Sequence, residues 1–145
     1  MKIYPHLFIL LAFLTGTDAV MAQSTNRRIR RTAKSDPNQI IVAKDGSGKF
    51  TTIQAAIDYA EYNATIRIRA GIYKENLLLR NFIALDGDGI GRTFIVSDSN
   101  APIVQAYNLN SCNISDISFE FSRPTDQPVF AAKYSTLFIE NCTFK

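Results

Sequence analysis

The feature that most constrains this chain is an internal repeat. Ile114-Ser-Asp-Ile-Ser-Phe-Glu120 aligns with Ile139-Glu-Asn-Cys-Thr-Phe-Lys145 at a constant offset of 25 residues. Apolar residues coincide at Ile114/Ile139 and Phe119/Phe144, Ile117 falls opposite Cys142, hydroxyls match at Ser118/Thr143, and Asp116 faces Asn141. A period of this length carried by short strands is that of one solenoid coil, and a parallel β-helix stacks like residues of successive coils inside its tube. The alternative is an antiparallel sandwich, whose strands recur every 8–12 residues or so. The repeat favours the β-helix.

The rest of the globular stretch, residues 40–145, fits an all-β reading with one helix. Ile40 to Ala43 is a short β-type run stopped by the turn sequence Asp45-Gly-Ser-Gly48. Ile53, Ala56, Ile57 and Ala60 then fall at i, i+3, i+4 and i+7, one apolar helical stripe, and Thr51 with Gln54 has the spacing of a capping box. After Asn63 come strand candidates at Ile66–Arg69, Leu77–Leu79, Phe82–Leu85, Phe94–Val96, Ile103–Tyr107, Ile114–Phe119, Val129–Ala132 and Leu137–Phe144. No second helical period separates them, so parallel strands joined by helical crossovers are not expected.

The N-terminal part is of a different kind. Residues 1–22 read as a secretory signal peptide: Lys2 is the charged start, Leu7 to Leu14 the apolar run, and Val20-Met21-Ala22 a small-residue cleavage site. The apolar run is too short for a membrane span, which takes about 20 residues. Residues 23–39 form a basic linker without apolar periodicity, carrying Arg27, Arg28, Arg30, Arg31 and Lys34. From Ser35 onward ten Lys/Arg face twelve Asp/Glu, so the chain's net charge of +3 belongs to the tail and no nucleic-acid partner is expected. The secretory route makes the Asn-x-Ser/Thr sequons at Asn63, Asn113 and Asn141 candidate N-glycosylation sites. It also leaves open whether Cys112 and Cys142 pair.

Composition narrows the chemistry. The one histidine, His6, lies in the signal segment, which excludes Ser-His-Asp and Cys-His nucleophile pairs and histidine metal sites from the mature chain. Two cysteines cannot build a four-thiolate zinc site, and neither a metal nor another cofactor is expected. Asp45-Gly-Ser-Gly48 lacks the Lys-Ser/Thr of a phosphate loop, and Gly87-Asp-Gly-Ile-Gly91 opens no helix, so both read as turns. Acid–base work falls to carboxylates such as Asp86, Asp88, Asp98, Asp116, Glu120, Asp126 and Glu140. Which of them converge is not legible in one dimension.

The order of motifs adds a family. Val42-Ala-Lys-Asp-Gly-Ser-Gly-Lys-Phe-Thr-Thr-Ile53, Ala55-Ala-Ile57, Ala70-Gly-Ile-Tyr-Lys-Glu75 with Leu79, and Gly87-Asp-Gly89 with Thr93 resemble the N-terminal part of the catalytic domain of plant-type pectinesterases. Arg69 departs from the Lys, Glu or Pro usual there. The resemblance implies a right-handed parallel β-helix with an N-terminal capping helix, here apparently truncated at the C-terminus. It also implies hydrolysis of methyl esters of pectin (homogalacturonan) in an extracellular cell wall, by an aspartate nucleophile, a second aspartate as acid and base, glutamines at the oxyanion and a steadying arginine. Ser122-Arg-Pro-Thr-Asp-Gln127-Pro-Val resembles the segment of the first glutamine, which makes Gln127 the candidate oxyanion donor and substrate contact, although Pro128 and Phe130 replace the usual Ala-Val-Ala pattern. The family's substrate-binding threonine has no counterpart in Asn100-Ala-Pro-Ile103. Glu140 to Lys145 resembles the stretch before the family's Gly-Tyr-Gln-Asp motif, so both catalytic aspartates are expected beyond Lys145, and the 145 residues alone are expected to be inactive. The alternative is an inactive secreted paralogue that binds a wall polysaccharide or serves as a β-solenoid interaction module. The oligomeric state is left open.

Overall fold

A computed structural model describes residues 37–145. The signal peptide assigned to residues 1–22 and nearly all of the linker at 23–39 lie outside the described residues. Twelve strands and one helix follow in the order β1 (Gln39–Val42), α1 (Ile53–Tyr59), β2 (Thr65–Ile68), β3 (Gly71–Lys74), β4 (Leu77–Leu78), β5 (Ile83–Gly87), β6 (Thr93–Ser97), β7 (Val104–Tyr107), β8 (Cys112–Ser115), β9 (Ser118–Phe121), β10 (Phe130–Lys133), β11 (Leu137–Glu140) and β12 (Thr143–Phe144). They form three parallel sheets, ordered β1-β2-β5-β8-β11, β3-β6-β9-β12 and β4-β7-β10. Each coil gives one strand to each sheet in turn. The fold is a parallel β-helix, and the antiparallel sandwich is excluded.

Like residues stack along the tube, as the repeat predicts. Ile40, Ile66, Leu85, Ile114 and Ile139 are register partners in the five-stranded sheet, and Tyr73, Ile95, Phe119 and Phe144 in the four-stranded one. All are buried except Ile139 and Phe144, in the last described coil. Ile139 stays 42% exposed because no described strand lies beyond β11 in its sheet. The Phe119 and Phe144 rings stack with centroids 5.8 Å apart, and Phe130 packs edge-on against both.

Two expected strands are each divided. Ile114–Phe119 is cut into β8 and β9 at Asp116 (φ 59°), and Leu137–Phe144 into β11 and β12 at Asn141 (φ 51°). Asp and Asn tolerate the left-handed region as single residues, which turns the chain through a corner without glycine. The Asn141 side-chain amide donates to the Asp116 carboxylate, so the corners are stacked as well as aligned. Beneath them Gly87 holds the same place. A Cβ there would lie 2.2 Å from the Asp116 carbonyl oxygen, so only glycine permits this coil spacing. The sequence reading passed over β3, because Tyr73 is its one buried side chain.

The helix forms where expected and is capped differently. Thr52, not Thr51, occupies the N-cap, and it makes no side-chain cap bond. Instead the Glu75 carboxylate, from the link between β3 and β4, accepts the N–H groups of Ile53 (3.1 Å) and Gln54 (2.9 Å). An ionised acceptor at the positive end of the helix outcompetes a threonine hydroxyl. Gln54, freed from the capping role, donates to Asp58 and exchanges hydrogen bonds with the Leu78 backbone. Arg80 caps the other end, donating to the carbonyls of Ile57, Asp58 and Ala60. Ile53, Ala56 and Ile57 are buried against β1, β2 and β4, closing one mouth of the tube.

Cys112 and Cys142 do not pair; both are free thiols. Register explains it: Cys112 opens β8 and lies beside Leu137, whereas Cys142 follows the Asn141 corner beside Ile117, so the length of a strand separates them. Burial pushes the Cys112 thiol up to about 11.

Candidate functional site

The strands repeat closely, but the links between the four-stranded and three-stranded sheets do not. They lengthen from Glu75-Asn76 in the first coil to residues 98–103 in the second and 122–129 in the third. Loops carried by a regular scaffold are where binding groups concentrate. Gln127 lies in the longest of them.

These loops are fastened to one another. The Asn76 amide nitrogen donates to the Pro102 carbonyl (2.8 Å) and the Ala101 carbonyl (3.4 Å), while its Oδ1 accepts from Ser97 and Ser99, each at 3.0 Å. Ser97 is buried, and its hydroxyl also meets that of Ser99 at 2.9 Å. One loop further on, Arg123 donates through Nε and Nη2 to the Asp98 carbonyl, and Thr125 donates to Asn100 Oδ1 at 3.5 Å. Ser97, Asn100, Phe121, Arg123 and Thr125 help enclose a cavity of 260 Å³ between the second and third loops.

Gln127 is half-buried at the far end of this arrangement. Its N–H donates to Thr125 Oγ1 at 3.1 Å, and its carboxamide makes no hydrogen bond among the described residues. Pro128 disfavours a helical backbone at Gln127, and Val129 then joins the sheet by accepting the Val104 N–H at 2.9 Å. The outer face of the three-stranded sheet presents Leu78 and Tyr107, half-exposed, and the Tyr107 hydroxyl donates to Gln105 Oε1 at 3.4 Å. Lys133 closes β10, its ammonium 5.3 Å from the centroid of the Tyr134 ring.

The scattered carboxylates do not assemble around Gln127. Asp86 and Asp88 share the Arg67 guanidinium on the five-stranded sheet and its corner. Burial would raise the Asp88 carboxyl, but the Ala70 N–H, Arg67 and Arg69 together hold it below the ordinary value. Asp116 holds the Asn141 amide, Glu120 is in β9, and Glu140 ends β11. Of these candidate carboxylates only Asp98 and Asp126 belong to the stacked loops, and both are exposed; Glu75, in the first loop, is taken up by the N–H groups of α1. Among the described residues no group of three or more His, Cys, Asp or Glu could hold a metal ion, and no helix is long and apolar enough to cross a membrane.

The sequon asparagines are all exposed. Asn63 and Asn141 sit at turns with φ of 61° and 51°, while Asn113 points outward from β8. Sequence reasoning missed Asn76. Its signal was the step from strand to strand directly after the Gly-Ile-Tyr-Lys-Glu motif, where a short link leaves one polar side chain to brace the longer loop of the next coil.

Comparison with known proteins agrees with this architecture. The family model described as Pectinesterase matches residues 39–121. Probable pectinesterase/pectinesterase inhibitor 17 of Arabidopsis thaliana is 46% identical over 63 residues, covering 41% of this chain and 12% of that protein. Pectinesterase 3 of Citrus sinensis is 38% identical over 82 residues, covering 52% of this chain and 14% of that protein. The match thus spans about an eighth of those relatives' length. The structure of pectin methylesterase from carrot superposes with a TM-score of 0.58 at 24% identity, over 77% of this chain and 40% of that one, a likeness of fold.

Proposed function

The chain belongs to the pectinesterase family, matched over more than half its residues, and on that premise we propose that it provides the first coils of a β-helix acting on the methyl esters of homogalacturonan in the plant cell wall. Within these coils Gln127 is the oxyanion donor and substrate contact. The observation that carries the reading is the unengaged Gln127 carboxamide at the end of a loop stack braced by Asn76, Ser97, Arg123 and Thr125. A donor whose backbone is held from both sides is preorganised, which is what an oxyanion site requires. Tyr107 and Leu78 offer sugar-facing surface on the outer face of the three-stranded sheet, and Arg123 and Lys133 offer cations to uronate carboxylates.

On the family resemblance, the nucleophilic and acid–base aspartates of the reaction are expected beyond Lys145. Losing a single oxyanion donor from a complete site costs about 10²–10³ in rate, so such a donor without its nucleophile supplies no turnover. The 145 residues alone are therefore expected to release no methanol from esterified pectin, while a family member carrying the Gly-Tyr-Gln-Asp motif does so in the same assay. Turnover abolished by Asp98→Asn or Asp126→Asn would place the nucleophile in the stacked loops and overturn this reading. Retention of the chain on esterified pectin without methanol release would favour the wall-polysaccharide-binding alternative.

A further inference from the structure

The outer face of the five-stranded sheet carries two columns of side chains in register. Gln39, Thr65, Ala84, Asn113 and Phe138 form one, and Ile41, Arg67, Asp86, Ser115 and Glu140 the other. An open groove of 630 Å³ runs over this face, with Thr65 and Ala84 at its floor and Asn113, Ser115 and Phe138 along it. The groove has the size of a small-ligand site but lies open to solvent.

Asn113 begins the sequon Asn113-Ile114-Ser115, and the strand's two-residue period puts Asn113 and Ser115 on the same outward face. Its carboxamide makes no hydrogen bond among the described residues, and its register neighbour on one side, Ala84, offers only a methyl group. On the other side is Phe138, 58% exposed. An exposed phenylalanine alone needs no explanation. Set beside an unengaged acceptor amide over an open groove, it has a partner of definite chemistry: the polarised C–H face of a pyranose, which the negative face of an aromatic ring attracts.

We propose that Asn113 carries an N-linked glycan whose first N-acetylglucosamine lies on the Phe138 ring. The inference rests on the secretory reading of residues 1–22. The donor is an oligosaccharide linked through diphosphate to a lipid. Asn113 Nδ2 forms a bond to the anomeric carbon, the carbon–oxygen bond to diphosphate breaks, the lipid diphosphate leaves, and Nδ2 gives up one proton. Asn141 differs: its Nδ2 already donates to Asp116 and holds a coil corner. The Asn113 glycan occupies the five-stranded sheet, whereas Gln127 precedes the three-stranded one, so the modification leaves the stacked loops free.

The test is expression of the full chain in a eukaryotic host, both as it stands and preceded by the signal peptide of a known secreted protein. Peptide mass mapping before and after enzymatic deglycosylation, which converts a glycosylated Asn to Asp, reads occupancy without any variant. The expected result is a hexosamine-bearing Asn113 peptide, lost in Asn113→Gln, with first-sugar protons shifted upfield by the ring current and returned to ordinary positions in Phe138→Leu. Modification only with the added signal peptide would refute the secretory reading and still support the acceptor site. Chain recovered from the medium with Asn113 unmodified would overturn the proposal, and a glycan whose proton shifts ignore Phe138→Leu would overturn the stacking.

Discussion

Removing the Glu75 carboxylate tests the coupling between helix and coils. It accepts two N–H groups at the start of α1 from a position 21 and 22 residues away, so it ties the cap of the tube to the link between β3 and β4. A hydrogen bond to a charged group is worth about 1.5–3 kcal/mol net. Glu75→Ala loses two, but Thr52 already sits at the N-cap with φ −124° and ψ 144° and can turn its hydroxyl in, recovering about 1 kcal/mol. The net expectation is a destabilisation of about 2–5 kcal/mol. For a domain near 100 residues that lowers the melting temperature by roughly 8–40 °C. Glu75→Gln, which keeps one oxygen acceptor and loses the charge, should fall between the two. Urea denaturation followed by far-UV circular dichroism reads both. A Glu75→Ala midpoint within about 0.5 kcal/mol of the wild type, the ordinary range for a surface change, would refute the capping argument.

Gly87→Ala should destabilise by about 1–3 kcal/mol or more, because its Cβ would meet the Asp116 carbonyl oxygen at 2.2 Å and Ile117 at 2.9 Å. An unchanged urea midpoint would contradict the coil register. The Asp88 carboxyl is held low by the Ala70 N–H, Arg67 and Arg69 against the opposing effect of burial. Its stabilisation is therefore fully present above the unfolded carboxyl value, about 3.9, and fades as pH falls through the lower folded one. The stability gap between wild type and Asp88→Asn should accordingly be open at pH 7 and shrink below about pH 4. Denaturation curves showing the same gap at pH 7 and pH 3 would remove Asp88 from the account.

The coil was legible because stacking imposes like over like. Ile114 over Ile139 and Phe119 over Phe144 are direct products of parallel register, and an offset of 25 residues is visible in one dimension. The corners were not. A left-handed Asp116 or Asn141 interrupts no apolar pattern, so Ile114–Phe119 reads as one strand until the backbone is seen. Helix capping failed as a local inference because the acceptor, Glu75, arrives from another coil. Gln127 was reached through family resemblance alone; nothing in composition or spacing marks a loop glutamine. Asn76 and Ser97 were invisible for a similar reason, since their value lies in which loops they touch.

The bracing of those loops bears on how such a solenoid can hold a reactive geometry outside its core. The third loop is pinned at its start by the Ser122 N–H to the Ser97 carbonyl (2.8 Å) and at its end by the Val104 N–H to the Val129 carbonyl (2.9 Å). Arg123 to Asp98 and Thr125 to Asn100 fasten its middle to the loop below. That loop is in turn held by Asn76 from the coil beneath it. Much of the conformational entropy of an eight-residue excursion, on the order of 1–2 kcal/mol per ordered residue, is thus opposed by contacts that exist only when the coils are in register. Gln127 is placed by the tube, through two intermediate loops, without a core of its own. The same logic separates the faces: the five-stranded sheet has no comparable excursions at its outer columns, whereas the corner with the lengthening loops gathers the polar side chains that fasten one coil to the next.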